Sequence, residues 1–192
     1  MSLIAFFASL VLGVSLAAAC GLRAFLPLFV AGLAARLGFV DLGEAFQWLC
    51  GTPCLVALGP GVVLELLADK VPLLTHLLDL LATPVRTAAG MLVVAATLVD
   101  VPTSIVAALA LIVGGGIAVT AHLARSGLRV GSPAASGGAA TPAVSLVEDV
   151  VAGVVALCSV AFWVFAIVVA VAASFLAVTT FKALWQRFQS RR

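Results

Sequence analysis

The sequence predicts an all-α integral membrane protein with about six transmembrane helices, some broken or re-entrant, in two inverted three-span halves. Three observations predict this. The 192 residues are 64% hydrophobic and 9% charged, against about 25% charged in a soluble domain, and the mean hydropathy is +1.30. The apolar residues form long Leu-, Ala-, Val- and Gly-rich runs rather than the short alternating segments of a barrel. At about 20 residues per crossing, these runs allow about five to seven spans. Residues 1–192 therefore read as one transmembrane domain, with no length left for a soluble one.

Leu3 to Gly38 is one apolar run with Arg23 inside it. A straight helix of that length would reach about 54 Å, against a hydrocarbon core of about 30 Å. A break is expected near Arg23, bracketed by Gly21 and Pro27. The first span then runs from Leu3 to Leu22, and a shorter piece from Ala24 to Leu37. The ending Ala17-Ala18-Ala19-Cys20 faintly resembles a lipoprotein cleavage site, but no basic n-region precedes it, so a retained first helix is expected. Val40 to Pro53 reads as a loop, with Trp48 suited to the membrane–water interface. Cys54 to Lys70 reads as the second span, with an unwound or kinked point at Gly59-Pro60-Gly61. Leu73 to Ala82 is too short to cross and should end at Pro84 as a half-helix. Val85 to Val99 completes the third span, and Asp100-Val101-Pro102 is a turn.

Ser104 to Leu123 is the fourth span. Its Gly114-Gly115-Gly116 triplet would let another backbone come close. Gly131 to Pro142 is small and polar and reads as a flexible loop. Ala143 to Val160 is a fifth span and Ala161 to Thr180 a sixth. Residues 181–192 form a basic, amphipathic tail anchored by Trp185 and Phe188. With six crossings, the distribution of Lys and Arg favours cytoplasmic N- and C-termini in a bacterial inner membrane.

The most informative stretch is Leu64 to Gly90. It places Glu65, Asp69, Lys70, His76, Asp79 and Arg86 in a nearly pure hydrocarbon sequence. A charge at the bilayer centre costs roughly 2.5–3.5 kcal/mol on insertion scales, so such residues are paired or functional. Arg23, Arg86 and Arg125 are the candidate anion-binding residues, since guanidinium forks onto carboxylate or phosphate. Arg86 follows Pro84, where a helix start would add backbone N–H groups. Glu65, Asp69, Asp79 and Glu148 are the candidate proton carriers. Each has a plainer reading. Arg23 could pair with Glu65 or Asp69, Asp69-Lys70 could be an ordinary helix end, and His76 with Asp79 could form an interfacial polar face. Glu148 and Asp149 are adjacent and point about 100° apart on a helix, so at most one is expected to face a shared site.

A shift of 102 residues superposes Gly13 on Gly115 and Arg23 on Arg125, and Val63-Leu64-Glu65 echoes Leu146-Val147-Glu148. These echoes suggest halves at 1–100 and 101–180. Inverted repeats with broken helices are a transporter architecture, with the site where the halves meet.

At GLRAFLPLFVAGLAARLG, ADKVPLLTHLLDLLATPVRTAAG and SLVEDV, the chain resembles a family of small bacterial membrane proteins known as domain of unknown function four-one-two-six. The resemblance runs from about Ser15 to Val155. It implies a multi-span inner-membrane protein and carries no activity.

No nucleophile–base pair at helical spacing, His-x3-His pair or Walker loop stands out, so an enzyme is not expected. Cys50 and Cys54 flank Gly51-Thr52-Pro53 without a nearby histidine, which argues against a metal and leaves a disulfide open. No cofactor is expected. The leading functional expectation is a permease for a small anionic solute or a lipid phosphate, with intramembrane carboxylates to carry a coupling proton. The alternative is a non-transporting scaffold or assembly protein whose intramembrane charges are structural. Membrane lipids, an anionic or lipid-phosphate ligand and further copies of the chain are the expected partners; nucleic acid is not.

Overall fold

The structure is a computed structural model. It describes residues 3–68, 75–136 and 146–161, with side chains over 3–67, 82–126 and 146–161. Among the described residues every regular element is helical, with no strand. Helix α1 is Leu3–Leu22, α2 is Phe25–Arg36, and a 3-10 segment covers Glu44–Cys50. Helix α3 is Thr52–Ala68, α4 is Thr75–Thr97 and α5 is Thr103–Leu109. A π-helical turn, Ala110–Gly115, joins α5 to α6, Gly116–Ser136. Helix α7 covers residues 146–161.

The break at Arg23 lies where length and composition placed it. Arg23 N–H donates to Ala19 O at 2.9 Å and closes the last turn of α1. Pro27 starts no break of its own. It occupies the third position of α2, where a backbone N–H would have no intrahelical acceptor.

Other breaks fall elsewhere than expected. Helix α3 runs unbroken through Gly59-Pro60-Gly61. The bend, of 59°, separates Glu44–Cys50 from Thr52–Leu67. It falls at Gly51, whose backbone is extended. Helix α4 passes through Pro84 as one element of 23 residues, not a half-helix followed by a span. Proline in a helix interior forfeits one hydrogen bond, whereas ending a helix in an apolar medium strands several backbone groups at several kcal/mol each. Continuity is therefore the smaller penalty. The expected loop at Gly131 is helical as far as Ser136, because extending an existing helix needs no new nucleus.

The core forms where α4 packs against α1 on one side and against the π-helical turn and α6 on the other. Leu12, Leu16 and Ala17 of α1 and Val93, Val94 and Ala96 of α4 are fully buried there. Without a hydrophobic drive between helices in lipid, such contacts depend on close packing of small residues. A Cβ on Gly21 would lie 2.5 Å from Ala118 O, and one on Gly90 would lie 2.7 Å from Gly114 O. Glycine is what permits α1 and α4 to approach α6 and the π-helical turn so closely. The turn itself puts Gly114 and Gly115 of the glycine triplet at the crossing with α4.

Two helical stretches are long and apolar enough to cross a membrane, Leu3–Leu22 and Thr103–Ser126, and a third if the bent pair at Gly51 is one span. Trp48 is exposed in the 3-10 segment before that bend. The expected sixth span and the basic tail lie outside the described residues.

Candidate functional site

The α1–α2 break leaves backbone groups to be satisfied inside an apolar bundle, and charged side chains satisfy them. Glu65, near the end of α3, reaches the start of α2. Its Oε1 accepts from Ala24 N–H at 2.7 Å and its Oε2 from Phe25 N–H at 3.0 Å. The carboxylate thus lies at the positive end of the α2 dipole and closes two amides that α2 leaves open.

Arg23 has no exposed surface. Its Nη1 donates to Glu65 O at 2.8 Å, one of the last four carbonyls of α3. Its Nη2 is ion-paired with Asp149 Oδ1 on α7. Arg125 on α6 repeats this arrangement. Its Nε donates to Glu148 Oε2 at 2.7 Å, and its Nη1 donates to Leu22 O, the final carbonyl of α1, at 3.2 Å. Each arginine therefore caps a helix C-terminus and meets a carboxylate of α7. Four helix ends or faces, on α1, α2, α3 and α7, converge on this node, and α6 supplies Arg125.

The structure brings the candidates Arg23, Arg125, Glu65 and Glu148 together, by contacts other than those expected. Arg23 takes Asp149 as its counter-charge, and from Glu65 only the backbone carbonyl. Glu148 and Asp149 both face the node, contrary to expectation. One arginine at the α1–α2 break and one on α6 meet α7 there, so side chains about 100° apart each find a cation. The signal was present in the sequence, as two adjacent acids matched against two intramembrane arginines.

A second polar cluster bridges α4 and α6. Arg86 Nη1 lies 2.7 Å from His122 Nδ1, and His122 Nε2 lies 2.9 Å from Thr83 Oγ1. Arg86 and His122 are buried. Guanidinium has no acceptor, so Nδ1 accepts and Nε2 carries the ring proton toward Thr83. Arg86 lies inside α4 and not at a helix start, because α4 does not stop at Pro84. Its neighbouring backbone N–H groups are thereby committed to the helix. The partner of His122 was not legible in sequence, since it comes from a helix 36 residues away. Asp69 and the side chains of His76 and Asp79 lie outside the described residues.

Among the described residues no group of three or more His, Cys, Asp and Glu side chains is placed to hold a metal ion. Cys50 and Cys54 are free thiols, and Cys50 Sγ donates to Gln47 O. A groove of about 440 Å³ lies between α2 and α7, lined by Val30, Leu33, Leu37, Phe39, Leu157 and Val160 among others, all apolar. It is separate in its lining from the charged node.

Fold and node together define a helical membrane protein with broken helices and a buried, inter-helix ion-pair network. The family model described as "Domain of unknown function (DUF4126)" matches residues 10–183, and the chain belongs to that family. No curated protein and no solved structure shows significant similarity to it.

Proposed function

We propose that the protein is a multi-pass permease for a small anionic solute or a lipid phosphate, driven by protons, with six crossings in two inverted halves and both termini in the cytoplasm. The observation that carries the reading is that one ion pair and one arginine cap join the two halves at a helix break. Arg23 of the first half meets Asp149 of the second, and Arg125 of the second half caps Leu22 of the first. The two spans Leu3–Leu22 and Thr103–Ser126 also cover the segments that the 102-residue shift superposes. Broken helices whose ends face a site between repeats are a recurrent transporter device.

In this reading the node is a closed gate. Asp149 and Glu148 occupy the guanidinium groups where an anion would bind, and Glu65 occupies the α2 N-terminus. A proton on one of these carboxylates weakens its hold on the cation, and an anion oxygen takes its place. Proton and anion then move in the same direction.

A second reading has a specific observation in its favour. Every charge in the node already serves a helix end or a counter-ion, as expected if the network only holds the fold. The test is uptake of inorganic phosphate, and flipping of a fluorescent phosphatidic acid, in proteoliposomes under a pH gradient. Wild type is expected to drive one of the two and Glu65→Gln to abolish it. Uptake unchanged in Glu65→Gln removes the proton role from Glu65, and no activity in wild type with either probe favours the scaffold.

A further inference from the structure

The apolar groove between α2 and α7 has a cation at one end. Val30, Leu33, Ala34 and Leu37 form its α2 wall, one face of that helix by their spacing. Ala34 is buried at the floor, whereas Leu37, Phe39 and Leu157 are more than half exposed, so the groove opens outward. Every residue lining it is apolar. Water or a polar solute would find no side-chain donor or acceptor there.

Helix α2 ends at Arg36, one residue before Leu37. Gly38 then turns the chain with φ +77°, and Phe39 N–H donates to Ala34 O at 2.9 Å. Phe39 is thereby folded back as the end wall of the groove. Arg36 itself is exposed, and its Nη1 donates to Thr52 Oγ1 at 2.8 Å. Among the described residues it forms no ion pair. The 3-10 segment abuts α2 beside it, since a Cβ on Gly32 would lie 2.6 Å from Leu49 O. Trp48 of that segment is exposed. Tryptophan and arginine at one end of an apolar surface mark the membrane–water interface. The groove therefore runs from the interface into the hydrocarbon. From Val30 to Leu37 it follows α2 for about 10 Å, against about 15 Å of hydrocarbon in one leaflet.

We propose that this groove seats an acyl chain of an anionic glycerophospholipid, with the lipid phosphate on Arg36. The site lies apart from the charged node and does not depend on the permease reading.

An apolar slot that ends in a cation matches an amphiphile with an apolar tail and an anionic head. Guanidinium takes phosphate through two parallel hydrogen bonds, and Thr52 occupies one nitrogen of the fork. A zwitterionic headgroup carries its own cation beside the phosphate and is the weaker ligand. An apolar helix seated in the slot would fill it yet give Arg36 no counter-charge.

The test is photo-crosslinking of the full-length protein in phosphatidylcholine nanodiscs. The probe is phosphatidylglycerol with a diazirine midway along one acyl chain, and phosphatidylcholine with the same diazirine is the control. Adducts are mapped by peptide mass spectrometry. The exposed apolar face of α3, with Val56, Val63 and Leu67, measures ordinary lipid contact. Phosphatidylglycerol adducts are expected to be several-fold enriched on residues 30–39 and 157–161 over that face. The control should be enriched about 5-fold less, the worth of one basic residue beside an anionic lipid. Arg36→Gln, at an exposed position, is expected to erase the difference between the two lipids. Val160→Trp, which fills the groove, is expected to lower the adducts of both. Adducts spread evenly over the groove and the α3 face overturn the site, as does equal enrichment of the two lipids in wild type. A preference unchanged in Arg36→Gln also overturns it. So does a groove without adducts from either probe, as when a second copy or another segment of the chain covers it.

Discussion

The carboxylate of Glu65 closes the start of α2 from another helix, with Oε1 2.7 Å from the Ala24 nitrogen. Forty-one residues separate the two in sequence. A helix break in an apolar bundle exposes amides and carbonyls that water cannot reach, and each must find a partner. Here the partner on the N-terminal side is an anion, and the partners on the C-terminal sides are two arginines, which matches charge to the dipole at every end.

Glu65→Gln keeps one acceptor oxygen and turns an NH2 group toward a backbone N–H. The expected loss of stability is about 1–2 kcal/mol, the range for removing a helix cap or a charged hydrogen bond. Reversible unfolding by SDS titration in mixed micelles measures it. A loss below experimental error contradicts the capping role.

Breaking the Arg23–Asp149 pair by one partner leaves a buried charge. Arg23→Gln and Asp149→Asn are each expected to cost about 3–5 kcal/mol. The double variant removes both charges and should cost less than the sum, with a coupling of about 1–3 kcal/mol. The double-mutant cycle, read by the same unfolding titration, contradicts the pairing if the single effects simply add. Arg125 and Glu148 should show the same pattern.

Close helix contacts set a third expectation. Gly21→Ala places a methyl 2.5 Å from Ala118 O, and Gly90→Ala places one 2.6 Å from the Ala118 methyl. Overpacking of this kind costs about 1–3 kcal/mol. Gly116 has nothing within 4 Å of its added Cβ, so Gly116→Ala should be neutral or stabilising by up to about 1 kcal/mol from helix propensity. Unfolding midpoints of the three variants decide the matter. Equal losses at all three positions would contradict the proposed packing.

The end of α1 at Leu22, the turn at Asp100 and the isolated charges Arg23, Glu65, Arg125 and Glu148 in apolar runs were legible in the sequence. Length against bilayer thickness required a break near Arg23, and buried charge always requires a reason. What was not legible depended on tertiary context. Pro60 and Pro84 read as breakers, yet in an apolar bundle one lost hydrogen bond is a smaller penalty than a new pair of helix ends. Asp149 and His122 could not be matched to partners, because those partners, Arg23 and Arg86, lie far off in the sequence. The π-helical turn at Ala110–Gly115 gave no local sign beyond its glycines.

For the node to act as a gate, an anion must displace the α7 carboxylates from Arg23 and Arg125. The most direct measurement is phosphate uptake, with phosphatidic acid flipping alongside, in proteoliposomes carrying wild type or the charge-balanced double variant Arg23→Gln/Asp149→Asn. Wild type is expected to be active, and a double variant that still folds to have lost that activity. Equal activity in the two, or none in wild type, would contradict the gate and leave the network as the device that holds the broken helices together.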